Sequence, residues 1–134
     1  MKKLLILLFS FGLLMSTSVS AEIVLYCQSE LTAGLIKENG TWKTTHFNND
    51  RYTIKFNDDY SILMGINEQN WTCQDSYSNS EYNTIMCYSP YQNGGSFSYH
   101  KKTNRFMKVD NTTFGYISKG EDTSTISAGT CQKF

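Results

Sequence analysis

The sequence predicts an all-β fold: a small antiparallel β-barrel or sandwich of about eight to ten short strands, stapled by disulfides. After residue 21 the chain is rich in Tyr, Phe, Thr, Ser and Asn, which suit a half-buried pleated surface. Short strand-like segments recur between turn residues, and no segment has the periodicity of a long amphipathic helix. Because an open sheet of this many strands would expose apolar surface and edges, we expect it to close or to fold over.

The first 21 residues have the three-part layout of a secretory signal. Lys2 and Lys3 form a basic region, residues 4–14 are almost entirely apolar, and Val19-Ser20-Ala21 places small residues where a signal peptidase requires them. The apolar run is too short to cross a hydrocarbon core of about 30 Å. We therefore expect a signal peptide at 1–21 and a single β domain at 22–134, periplasmic or secreted, with no membrane anchor after cleavage.

The charge balance limits the kinds of partner that we expect, and the sequence around Cys27 bears on whether the chain is lipidated. Without Lys2 and Lys3 the chain has 10 basic residues against 12 acidic ones, from 12 of each in the full sequence. This balance predicts no nucleic-acid partner, and the partner expected in that location is an envelope or secreted protein. Lipidation of Cys27 is disfavoured, because Tyr26 stands where a small residue is needed and Glu22 interrupts the apolar segment.

All four cysteines, Cys27, Cys73, Cys87 and Cys131, fall in the expected mature domain. An even number in a small exported domain predicts two disulfides. Zinc is the competing interpretation, but no pair has C-x2-C spacing and both histidines are distant in sequence. Three connectivities are open. The nested pairing, Cys27–Cys131 with Cys73–Cys87, is slightly favoured over the sequential pairing, Cys27–Cys73 with Cys87–Cys131.

The strongest local signal is a hairpin around Asn39-Gly40, a dipeptide that accepts the positive φ angles of a type I′ turn. A two-residue turn here places Lys37 opposite Trp42, where a cation–π contact is expected.

In the next strand Tyr52, Ile54 and Phe56 alternate with polar residues, so they are expected to face the core. A four-residue tip at 101–104 sets Tyr99 opposite Phe106. A single helical turn is expected at 67–70 and a bulge at Gly129. The strand candidates, from which about eight to ten strands are expected, are 22–28, 31–38, 41–45, 52–56, 61–66, 71–77, 82–89, 96–100, 105–109, 113–119 and 123–134.

No catalytic set is evident. The acidic pairs Asp58-Asp59 and Glu121-Asp122 lie in predicted turns, where they are expected to be solvated and not to converge as a general acid and base. His46 and His100 are the only histidines. No motif indicates a phosphate-binding loop or a nucleophile elbow. We therefore predict no catalytic residues, no cofactor-binding residues and no metal ligands, and we expect no cofactor.

Basic and aromatic residues are interleaved in the 96–109 hairpin. Lys101, Lys102, Arg105 and Lys108 cluster there, and aromatic and cationic groups together are favoured at recognition sites. Tyr99 and Phe106 are expected in the core. The candidate partner contact is therefore formed by His100, Lys101, Lys102 and Arg105.

Short motifs around the cysteines extend over nearly the whole mature chain: Tyr26-Cys27, Thr32-Ala33-Gly34, Trp42, Gly94-Gly95-Ser96-Phe97, Thr103-Asn104-Arg105-Phe106, Asp122-Thr123 and Gly129-Thr130-Cys131. The arrangement resembles a group of uncharacterised short exported proteins of proteobacteria and their phages, which share a signal peptide and a similar cysteine pattern. The resemblance implies one small exported domain. It implies no activity and no binding residues.

Two functional classes follow. The first is a non-enzymatic binding or inhibitor module, since a disulfide-stapled β scaffold presents loops rigidly and no catalytic set is visible. The alternative is a small extracytoplasmic hydrolase whose reactive groups meet only in the folded chain. A concave pocket that holds convergent ionisable groups would favour the hydrolase.

Overall fold

The computed structural model describes residues 21–75, 82–91, 94–112 and 114–134. Within them the chain forms nine strands and no helix. The strands are β1 (Ile23–Glu38), β2 (Thr41–His46), β3 (Arg51–Phe56), β4 (Ile62–Ile66), β5 (Gln69–Asp75), β6 (Thr84–Tyr88), β7 (Ser96–His100), β8 (Arg105–Asp110) and β9 (Ser124–Lys133).

Eight of these strands close into an antiparallel barrel. The order is β1-β3-β4-β5-β6-β7-β8-β9, and β9 pairs again with β1 to complete the circle, while β2 pairs with β1 alone. The all-β prediction is confirmed, and the architecture is a barrel and not a sandwich. In the described part of the chain, no helix has the length and apolar character needed to span a membrane.

The predicted strands 22–28 and 31–38 are one long strand, β1, with a bulge between them. The register against β9 shifts between Ser29 and Leu31, which leaves Glu30 as the extra residue. The first half of β1 pairs with β3 and the second half with β2, while β9 pairs with both halves. The predicted bulge at Gly129 was placed on the wrong strand, because Gly129 lies opposite Ser29 and the inserted residue belongs to β1.

The barrel interior is apolar and aromatic. Ile54 and Phe56 are fully buried and Tyr52 is half-buried, whereas the residues between them are exposed, so the predicted register of β3 is confirmed. Tyr99 lies opposite Phe106 as predicted. Phe106 stacks on Phe97 with ring centres 5.4 Å apart. These rings fill the space between strands that are distant in sequence.

Both disulfides are present, in the nested pairing. Cys27 lies directly opposite Cys131 on β1 and β9, and Cys73 lies opposite Cys87 on β5 and β6. The first disulfide therefore joins the two strands whose pairing closes the barrel. Two disulfides indicate an oxidising environment.

The Asn39-Gly40 turn is exposed and has the predicted conformation, with φ of 49° and 78°. Lys37 lies opposite Trp42, as predicted. The Lys37 ammonium group donates to the carbonyl oxygen of Gly120 at 3.4 Å, and the half-buried Trp42 ring contacts Tyr116 with ring centres 5.5 Å apart. The expected cation–π pair is thus replaced by contacts with the loop between β8 and β9.

Two further local predictions were wrong, and a third extends past the described residues. Residues 67–70 do not form a helical turn, because Asn67 and Glu68 have φ of 52° and 56° and form a tight turn that leads into β5 at Gln69. Residues 114–119 form turns and not a strand, and Gly120 donates to the carbonyl oxygen of Gly115 at 3.0 Å. The end of the predicted strand 71–77 lies outside the described residues.

Candidate functional site

The outer face of β6, β7, β8, β9 and β1 carries two parallel rows of side chains. Directly paired residues define each row. The rows are two residues apart on β6 to β9 and three apart on β1, where the bulge inserts Glu30. The apolar row is Met86, Ser98, Met107, Ala128 and Leu31. The polar row is Thr84, His100, Arg105, Thr130, Gln28 and, on β3, Arg51.

Side chains alternate between the two sides of a strand, so the residues of both rows point to the outside of the barrel. On β8, Phe106 is buried, so its neighbours Arg105 and Met107 project to the outside. Leu31 is 72% exposed and Met107 is 47% exposed, although both belong to well-paired strands. Large apolar side chains beside charged ones on one face are typical of a recognition surface.

A shallow groove of ≈ 440 Å³ follows the two rows. Ser98 and Ala128 are small, so the surface is low on both sides of Met107, towards Met86 and towards Leu31. His100 and Arg105 also line the groove and supply polar groups. The groove can therefore accept apolar groups with a charged group beside them.

The structure separates the four residues predicted for partner contact. His100 and Arg105 lie in the groove, and His100 Nδ1 accepts a hydrogen bond from the Thr103 backbone N–H at 3.1 Å. Lys101 turns away, with its ammonium nitrogen 3.6 Å from Asp75 and 5.1 Å from the centre of the Tyr60 ring. Lys102 is exposed in the turn after β7.

Lys108 does not belong to the surface cluster in which the sequence placed it. It lies two residues after Phe106 and so faces the interior, where its side chain is 8% exposed. There it forms an ion pair with Asp110 and lies 5.6 Å from the centre of the Tyr52 ring. The strand alternation could have predicted this position.

Ionisable groups do converge at one end of the barrel, around the buried Lys108. The Tyr52 hydroxyl donates to Asp50 Oδ2 at 3.2 Å, and Lys108 and Asp110 complete the cluster. Burial, followed by the negative charge of Asp50, raises the pKa of Tyr52 to about 12. These groups contact one another, and none of them lines the outer groove.

A second concave region, of ≈ 600 Å³, lies across the β1 bulge. Tyr26, Gln28, Arg51 and Gln132 line it, and Glu30 and Thr130 are common to both grooves. The sequence did not reveal this half of the surface. Its residues come from β1, β3 and β9, and no local signal brings Arg51 next to Gln28.

The acidic pairs and His46 contribute to neither groove. Asp58 accepts a hydrogen bond from the Asp59 backbone, and hydrogen bonds from Ser61 lower the pKa of Asp59, so this pair stabilises its turn. Glu121 lies 3.8 Å from Lys37. Across the described ranges, no group of three or more His, Cys, Asp or Glu side chains could hold a metal ion.

Comparison with known proteins adds no assignment to this geometry. No family model, no curated protein and no solved structure matches the chain.

Proposed function

We propose that this protein is a non-enzymatic binding or inhibitor module, periplasmic or secreted, that recognises an acidic envelope or secreted protein. The contact surface is the outer groove along the apolar and polar rows. The observation that carries the proposal is that unpaired cations and exposed apolar side chains share this one face of a rigid barrel.

The distribution of ion pairs among the basic residues supports the choice of this surface. Five basic side chains in the described part of the chain have no ion-pair partner there: Arg51, Lys102, Arg105, Lys119 and Lys133. Arg105 lies in the groove, beside Met107, and Lys102 is in the turn that leads to it. An unpaired arginine on a partly apolar surface is well suited to bind a carboxylate through two parallel hydrogen bonds.

The alternative is a small hydrolase, which needs ionisable groups that converge on a substrate-accessible pocket. One group of ionisable side chains in the described chain, Asp50, Tyr52, Lys108 and Asp110, is paired internally at one end of the barrel and lies outside the groove. In the groove itself Glu30 is hydrogen-bonded to Thr130 and His100 to Thr103. This arrangement favours binding over catalysis as the function.

Affinity capture from the native periplasm or envelope tests the proposal. The wild-type domain should retain a protein that elutes at raised salt, because exposed charge pairs are screened within about 8–10 Å at physiological ionic strength. The double variant Lys102→Ala/Arg105→Ala should lose that protein, whereas the control Lys119→Ala/Lys133→Ala should keep it. Lys101 is left intact, because it already contacts Asp75 and Tyr60.

Equal retention by both double variants would refute this contact surface. Reproducible turnover of a cell-wall or peptide substrate by the purified domain would replace the binding proposal with the hydrolase.

A further inference from the structure

The two outer grooves form one continuous surface. From this we infer that the partner contributes an extended acidic segment that crosses the strands, with two carboxylates about 14 Å apart, one on Arg105 and one on Arg51. The inference rests on the proposed function and specifies the form of its partner.

The spacing follows from the strand order. Arg105 on β8 pairs with Thr130 on β9, Thr130 pairs with Gln28 on β1, and Gln28 pairs with Arg51 on β3. Each step between neighbouring strands is about 4.8 Å, so the two arginines lie about 14 Å apart along the polar row.

The β1 bulge makes the surface continuous. Glu30, its inserted residue, lines both grooves together with Thr130. The Thr130 hydroxyl donates to Glu30 Oε1 at 3.1 Å, which holds the carboxylate between the two arginines. A bound segment can therefore pass from one groove to the other without leaving the surface.

Charge identifies the partner as acidic. Neither Arg51 nor Arg105 has an ion-pair partner in the described residues, and both are exposed. Asp50 is next to Arg51 in sequence, but its carboxylate accepts the hydroxyl of Tyr52 at 3.2 Å. The face thus presents two guanidinium groups around the single carboxylate of Glu30.

The distance between Arg51 and Arg105 matches an extended segment whose acidic residues have a particular spacing in sequence. Extended chain advances about 3.4 Å per residue, and residues i, i+2 and i+4 share one face. Acidic residues at i and i+4 therefore span about 14 Å and can meet both arginines. Residue i+2 then lies over Glu30, where a hydroxyl or a cation can donate to the carboxylate.

Two peptides of identical composition test the inference. Acetylated and amidated Glu-Ala-Thr-Ala-Glu has glutamates four residues apart, and Ala-Glu-Thr-Glu-Ala has them two apart. Each is titrated into the isotopically labelled mature domain at an ionic strength of about 20 mM, where surface charge pairs are weakly screened. Amide chemical shifts report both the affinity and the location of binding.

The widely spaced peptide should bind about three- to fivefold more tightly, the size expected for one additional exposed ion pair. Its shifts should include residues beside Arg51 and beside Arg105. Arg51→Gln and Arg105→Gln should each abolish the preference, and the control Lys133→Gln should retain it.

A preference that survives Arg51→Gln but not Arg105→Gln would overturn the inference and leave the proposed contact surface intact. Equal affinity of the two peptides, or absence of binding, would also overturn this inference about the form of the partner. The proposed function is tested separately, by the capture experiment. Binding that depends on Lys133 and on neither arginine would contradict both.

Discussion

Lys108 lies inside the barrel beside Tyr52, with its ammonium nitrogen 5.6 Å from the centre of the phenol ring. The same ammonium group forms an ion pair with Asp110, two residues further along β8. Lys108 follows Met107 directly and is three residues after Arg105. The alternation of side chains along β8 therefore places this buried cation on the side opposite the exposed Arg105 and Met107 of the recognition surface. The position of Lys108 makes it a determinant of stability.

Lys108→Ala should lower the free energy of unfolding by about 1–3 kcal/mol, because it removes packing against Tyr52 and leaves Asp110 without its cation. The cost is below that of a fully buried pair, since Asp110 is partly exposed. Urea unfolding at neutral pH measures it. The matched change Lys102→Ala removes an exposed cation and should alter stability by less than about 0.5 kcal/mol. Equal effects would contradict the buried position of Lys108.

Alkaline pH should destabilise the fold over a defined range. Burial, followed by the charge of Asp50, raises the pKa of Tyr52 to about 12, and burial, followed by the charge of Tyr60, raises that of Tyr99 to about 12. Between pH 10 and about 12 the folded state therefore holds more protons than the unfolded state. Stability should be fully present below pH 10 and should fall as the pH rises through about 12.

Unfolding by urea at successive pH values, together with the ultraviolet absorbance of ionised tyrosine, tests this behaviour. Tyr52→Phe removes one of the two groups and should flatten the decline. A decline that begins well below pH 10, or one that Tyr52→Phe leaves unchanged, would show that another group controls it.

The two disulfides should contribute unequally to stability. Cys27–Cys131 spans 104 residues and Cys73–Cys87 spans 14. In the chain-entropy description the longer loop is worth about 4–5 kcal/mol and the shorter about 3 kcal/mol. Replacing both cysteines of the first pair with serine should therefore lower the denaturation midpoint more than the same change in the second pair. The reverse order would mean that strain or residual structure outweighs loop length.

Substitution of two glycines should distinguish local backbone strain in a turn from a steric clash between two strands. Gly40 has φ of 78° and open space around it, so Gly40→Ala should cost about 1 kcal/mol through backbone strain alone. A Cβ at Gly129 would overlap the backbone oxygen of Gln28. Gly129→Ala should consequently separate β1 from β9 and cost about 3 kcal/mol or more, as overpacking against backbone does. Thermal unfolding monitored by circular dichroism compares the two variants, and a smaller loss for Gly129→Ala would contradict the close approach.

The sequence by itself determined the local structure of this protein. The alternation of Tyr52, Ile54 and Phe56 defined the buried face of β3, and Asn39-Gly40 defined the turn between β1 and β2. These features depend on neighbouring residues, whose side-chain period and turn preferences are properties of the chain itself. The same alternation also places Lys108 on the inward side with Phe106, and not in the exposed basic cluster that was expected from its position in the hairpin.

Only the tertiary structure decided the barrel closure and the composition of the candidate surface. Cys27 meets Cys131 because β9 returns to β1, and Arg51 joins the row of Arg105 because β3 pairs with the other edge of β1. His100 and Arg105 could be proposed from one hairpin, whereas Glu30 acquires its place from a bulge. The physical reason is that register between distant strands is fixed by the joint packing of all their inward faces, and a one-residue shift would turn every outward side chain inward.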